Sequence, residues 1–205
     1  METTPPTHYF RRALPHYHPN DAPYFVTYRL HHSITGIEQH GLNSLLKDIN
    51  SHEDQARYFK EYDFVLDAAM HGPKYLARPD IMEIVKSSLI YAGEQWLDMI
   101  AYAIMPNHVH FVAELKSDRT LSQIMQPLKG FTSREANKLL DRSGTAFWQP
   151  ESYDRVVRDG RLGNTVHYIL MNPVKAGLVS DWRDWEGNYL SPDFHGIETL
   201  GLKAR

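Results

Sequence analysis

A chain of 205 residues that is 42% hydrophobic and 12% aromatic can bury a sizeable core, and its length suits a single domain. A net charge of -3 argues against a protein that coats duplex DNA without specificity, so any nucleic-acid site has to be local. Cysteine is absent, which excludes thiol catalysis, thiolate metal sites and disulfides, and the apolar runs are too short for a membrane span.

Taken in order, the first 23 residues are proline-rich and aperiodic and read as an irregular lead-in without the basic flank and apolar core of a signal peptide, so a cytoplasmic location is expected. Tyr24 to Leu30 alternates as a strand: Tyr24, Val26, Tyr28 and Leu30 form an apolar row, and Phe25, Thr27 and Arg29 form the other. Between residues 31 and 78 helical spacing in Leu42, Leu45, Leu46 and Ile49, then in Tyr58, Tyr62, Val65, Leu66 and Ala69, predicts a helical insertion of two helices. Asp80 with Glu83 three residues on has the form of a capping box, opening a helix whose buried stripe is Ile81, Ile84, Val85, Ser88, Leu89 and Ala92, with Gly93 at its end.

Residues 97–104 and 108–115 then read as a hairpin turning through Met105, Pro106 and Asn107. Two-residue periodicity puts His108, His110, Val112 and Glu114 on one face of the outgoing strand, and Val109, Phe111, Ala113 and Leu115 on the core-directed face. Two neutral imidazoles on a rigid strand suit a divalent cation; two hydrogen-bonded strand histidines fit the dipeptide spacing equally well. Beyond the hairpin, Thr120 with Gln123 predicts a short helix that Pro127 kinks or ends, and Thr132 with Glu135 predicts a second one to about Leu140. Phe147 and Trp148 anchor a loop before a strand at 153–158, and a last helix spans about 164–171, limited by Pro173. Residues 188–205 read as an irregular tail.

Without the insertion the order is strand, helix, strand, strand, helix, strand, then helix. This is the split β-α-β order of an α+β, ferredoxin-like antiparallel sheet with helices on one face, leaving the histidine face open for a site. Cations outnumber anions from Lys129 to Arg161, through Lys129, Arg134, Lys138, Arg142, Arg155, Arg158 and Arg161, while Asp48 to Asp67 leans acidic. In the last helix Tyr168 and Asn172 are four apart, so a phenol nucleophile and an amide ligand share a face if the helix reaches Asn172. A core aromatic and a cap for the turn at Pro173 are the competing readings.

The residues at 24–30 (YFVTYRL), 105–110 (MPNHVH), 128–137 (LKGFTSREAN), 147–154 (FWQPESYD) and 168–179 (YILMNPVKAGLV) together resemble the REP-associated tyrosine transposases, a branch of the single-tyrosine HUH nucleases. That resemblance implies His108 and His110 as a metal pair for Mg²⁺ or Mn²⁺, Asn172 as a third ligand and Tyr168 as nucleophile. It implies a single-stranded DNA partner beside a hairpin-forming palindrome, nicked and rejoined through a 5′-phosphotyrosine. Thr27, Arg29, Lys129, Arg134 and Arg155 are the candidate DNA contacts, and Glu114 and His167 lie near enough in sequence to be candidates for activating the tyrosine. The family branch implies a monomer, its insertion-sequence relatives a dimer. A domesticated, non-cleaving DNA-binding protein is the alternative from another class. A cupin-type metalloenzyme would share His108, His110 and Glu114, but it expects many strands and a second histidine motif, whereas this chain has several capped helices and lacks Gly at the required spacing after Glu114.

Overall fold

The computed structural model describes residues 8–11, 15–18, 22–47, 52–68 and 72–197. Its elements are β1 (His8–Arg11), β2 (Pro15–His18), β3 (Tyr24–Arg29), α1 (Gly36–Lys47), α2 (His52–Ala68), α3 (Pro79–Gln95), β4 (Leu97–Ile104), β5 (His108–Leu115), α4 (Leu121–Leu139), β6 (Tyr153–Val156), α5 (Leu162–Leu170), α6 (Asn172–Lys175) and β7 (Asn188–Leu190). Ile49, Ala69 and the tail past residue 197 lie outside the described residues.

Five strands form one antiparallel sheet in the order β6-β3-β5-β4-β7. β3 and β4 run parallel to each other with β5 inserted between them, the split arrangement expected of a ferredoxin-like α+β fold. The alternation in β3 and β5 selects the faces. Tyr24, Val26, Tyr28, Val109, Phe111 and Ala113 pack with α3 and α4, whereas Phe25 and Val112 join a second cluster with α1, α2 and α5.

The histidine face is therefore not open, which corrects the expectation of helices on one side only. The 31–78 insertion supplies α2, whose Tyr58, Tyr62 and Leu66 are buried against this face, and α5 adds Val166, Ile169 and Leu170. A sheet face carrying Phe25, Ala101, Ala103 and Val112 beside two histidines is too apolar to be left in water.

Five other expectations change. α4 runs unbroken through Pro127, because Ile124, Met125 and Leu128 before and around it and Ala136 beyond it all bury into one core. Thr132 does not cap a helix: its hydroxyl donates to Leu128 O at 2.8 Å and accepts from Trp148 Nε1 at 2.8 Å. α3 starts at Pro79, whose fixed φ suits the first helical position, and Asp80 instead accepts from Ile81 N and the Arg78 guanidinium. The lead-in contains the antiparallel β1–β2 pair, and β7 of the expected tail adds an edge strand on β4.

Phe111, fully buried at the centre of the sheet, is predicted to cost about 3–5 kcal/mol as Phe111→Ala. Phe64→Ala, at a side chain 68% exposed, should stay within about 0.5 kcal/mol. Urea unfolding of the two variants checks the assignment.

Candidate metal centre and nucleophile

The hairpin turn sets the first ligand. Asn107 Nδ2 donates to Leu66 O at 3.1 Å, which fixes its amide so that Oδ1 faces His108 Nδ1 at 2.7 Å. A carbonyl oxygen only accepts, so Nδ1 carries the hydrogen and Nε2 presents a lone pair. His110 is held similarly by Thr27 Oγ1, 2.7 Å from its Nδ1 and directly across the β3–β5 ladder. Phe25 stacks on the His110 ring at 5.4 Å between centroids.

The two Nε2 atoms meet at 3.0 Å, and neither imidazole has any exposed surface. Burial holds both pKa values below the ordinary imidazole value, His110 down to about 3 with the Lys175 charge contributing, so both rings are neutral, the ligating form. α2 adds two carboxylates: Asp63 Oδ1 lies 3.1 Å from His110 Nε2, and Asp67 Oδ1 lies 3.7 Å from His108 Nε2. Asp63 Oδ1 is buried without a hydrogen-bond partner. Burial pushes both carboxyl pKa values up; at Asp67 the neighbouring Asp63 adds to the rise, and at both Lys175 opposes it.

One ligand atom each from Asp63, His108 and His110 falls within 4.8 Å of the others, so these three can hold a metal ion. The donor set fits a divalent cation: two neutral imidazoles, an orphaned carboxylate, and the Asp67–Asn172 pair beside them. Asn172 is buried; with its amide nitrogen toward α2 it donates to Asp67 at 2.8 and 3.3 Å. With its oxygen turned there, two acceptors oppose each other, an arrangement that a cation between them resolves.

Tyr168 lies against this group. Its ring is 5.8 Å from that of His110, 6.0 Å from Phe25 and 5.9 Å from Phe59 of α2. Its hydroxyl is buried and has no hydrogen-bond partner. α5 ends at Leu170, yet Met171 stays right-handed and Lys175 N donates to Met171 O, so Tyr168 and Asn172 remain on one helical face despite Pro173. Tyr153 is elsewhere: its ring contacts are Phe59, Tyr58 and Tyr62, and burial pushes its hydroxyl up to about 12.

The candidate DNA contacts divide. Thr27 is fully buried under His110, and Arg29, 4% exposed, donates to Leu30 O, Ser33 Oγ and Gln39 Oε1, so neither faces a strand of DNA. Lys129 also points inward, donating to Gln149 O and Pro150 O, with burial pulling its pKa down to about 8. Arg155 is half-buried over the Phe25 and Phe59 rings, and Arg134 is exposed. Glu114 sits four residues past His110, roughly 13 Å along β5, and faces solvent. His167 is displaced from Tyr168 by about 100° around the helix.

Sequence reasoning missed Asp63, Asp67, Asn107 and Lys175. The two aspartates carry a readable signal, a four-residue spacing beside the buried Tyr62 and Leu66, but only the packed fold brings α2 onto the histidines.

Residues 76–171 match the family described as "Transposase IS200 like". That stretch, just under half of the chain, takes in α3 to α5. Over 98 residues, 43% of this chain, the sequence is 30% identical to a Haemophilus influenzae protein named as a REP-associated tyrosine transposase, and the match spans 56% of that protein's length. A solved structure of a REP-associated tyrosine transposase bound to a REP hairpin aligns over 87% of this chain and 80% of its own, with a TM-score of 0.53 and 16% identity. The chain thus resembles the REP-associated tyrosine transposases, and the fold is theirs. His108, His110 and Tyr168 fall inside the matched domain; Asp63 and Asp67 precede it and Asn172 follows it directly.

Because Asp63 must ionise to ligate, with Asp67 losing its proton beside the cation, while the imidazoles are already neutral, Mn²⁺ binding is predicted to release protons from carboxyls alone. Affinity should then rise with pH through the carboxyl values of about 7 and about 8. Calorimetry in buffers of different ionisation enthalpy measures this; affinity independent of pH across that window contradicts it.

Proposed function

We propose that this chain nicks and rejoins single-stranded DNA beside hairpin-forming palindromic repeats, through a 5′-phosphotyrosine on Tyr168. The observation that carries the reading is the packing of the Tyr168 ring against His110, beside a buried pair of neutral imidazoles and one helical turn from Asn172. The likeness to REP-associated tyrosine transposases, one of them solved with a REP hairpin bound, supports the choice of DNA substrate.

His108, His110 and Asn172, with Asp63 from α2, would hold the divalent cation, Mg²⁺ or Mn²⁺. When bound, the cation supplies Lewis-acid polarisation of the scissile phosphate. Asn107 and Thr27 keep the imidazole Nε2 atoms converging. Tyr168 Oη attacks phosphorus in line, and the DNA 3′ oxygen departs, so the phosphodiester energy is kept in the phosphotyrosine for rejoining. Fixing nucleophile and ligand on one stretch of helix lowers the barrier by positioning. The exposed Arg134 and the half-buried Arg155 are the cations available to the strand, so binding weakens as salt rises. The Tyr168 hydroxyl is buried, with Phe59 of α2 against its ring, so the site opens when the phosphate comes in.

The test is mass spectrometry of the protein trapped on a hairpin-flanked single strand with Mn²⁺. A nucleotide is expected on Tyr168, lost in Tyr168→Phe and retained in Tyr153→Phe. The His108→Ala, His110→Ala double variant should lose nicking. A nucleotide on Tyr153 overturns the mechanism; hairpin binding without any adduct favours a non-cleaving DNA-binding protein.

A further inference from the structure

Lys175 stands two helical turns after Tyr168 and three residues after Asn172, so the phenol, the amide and the ammonium form one stripe along α5 and α6. Its Nζ sits 4.2 Å from the centroid of the Tyr168 ring. The side chain is exposed and makes no hydrogen bond or ion pair with the described residues, so its charge is not spent on holding the fold together. Its charge acts on Asp63, Asp67 and His110. Lys129, by contrast, is tied to Gln149 and Pro150, and Arg29 to Ser33 and Gln39.

We propose that Lys175 is a catalytic cation of the Tyr168 reaction, its ammonium meeting a non-bridging oxygen of the scissile phosphate as the phenol oxygen attacks. The proposal rests on the reading of Tyr168 as nucleophile. As the Oη–P bond forms, the P–O3′ bond breaks; the phenol proton passes to solvent and the departing 3′ oxygen takes one up. Lys175 stays protonated throughout and acts by charge, from α6, while the histidines act from the sheet. In the reverse direction the same charge stabilises the leaving phenolate, so rejoining depends on it as cutting does. An ammonium over the ring face is attracted by the phenol before reaction and more strongly by a phenolate, which keeps it on station.

Single-turnover cleavage of a hairpin-flanked single strand with Mn²⁺, using the full chain, tests this with Lys175→Met and Lys175→Arg. Because Lys175 is exposed, both variants should melt like the parent. Lys175→Met is expected to slow adduct formation about 10²-fold, and Lys175→Arg to recover most of the rate, as for removal and replacement of a charge-stabilising group. Hairpin affinity should be nearly unchanged, so the loss falls on the rate rather than on binding. With a neutral methylphosphonate at the scissile linkage, parent and Lys175→Met should react at equal rates. Lys175→Met cutting at the parental rate, or slowed equally on both linkages, overturns the role of Lys175 and leaves Tyr168 standing. A parent that forms no adduct on Tyr168 overturns both.

Discussion

Two imidazole nitrogens 3.0 Å apart, on rings with no exposed surface, are the constraint on which the rest of the site depends. The contact is met by a hydrogen on His110 Nε2, with Thr27 Oγ1 then donating to Nδ1, or by a cation between the two nitrogens. The fold spends many elements on making this pair. β5 puts both rings on one face, Asn107 fixes the first tautomer, Thr27 across the ladder holds the second ring, and Phe25 stacks beneath it. Phe25 serves twice, since it also belongs to the apolar cluster on the histidine face. α2 then brings two carboxylates whose raised pKa values reflect the cost of carrying charge where little water reaches. A divalent cation would replace those protons and relieve both costs.

Much of this was legible in the sequence because it is local. A period of two gives the faces of β3 and β5, and with them the placing of Phe25, Thr27, His108 and His110; the strand and helix order gives the ferredoxin-like sheet. What could not be read is what packs across. Nothing in the 31–78 stretch says that α2 lies over the histidines, so Asp63 and Asp67 looked like part of a solvated acidic run and the face looked open. Likewise Thr27, read as available to DNA, is buried by a partner distant in sequence, His110 being 83 residues away, while Arg29 is tied to Ser33 and Gln39. Pro127 was read as a breaker because propensity is local, whereas the buried residues on both sides of it in α4 are a tertiary fact.

α2 gives this chain a character beyond its matched domain. It lies outside residues 76–171, yet it supplies an acidic group to the histidines, a ring to Tyr168 and a hydrogen-bond partner to Asn172. A helix that reaches both the candidate cation site and the Tyr168 ring would tie chemistry to its own position. In the proposed reaction Asp63 would ligate the cation while the scissile phosphate comes in beside it, and the exposed Lys175 would be the counter-charge at the edge.

The central claim, that residues from α2, the sheet and the end of α5 form one cation site beside Tyr168, is tested most directly by anomalous diffraction from crystals of the protein grown with Mn²⁺. The account predicts a manganese peak between His108 Nε2 and His110 Nε2 and within reach of Asp63. Manganese bound away from both histidines, or no peak with manganese in excess, would contradict it.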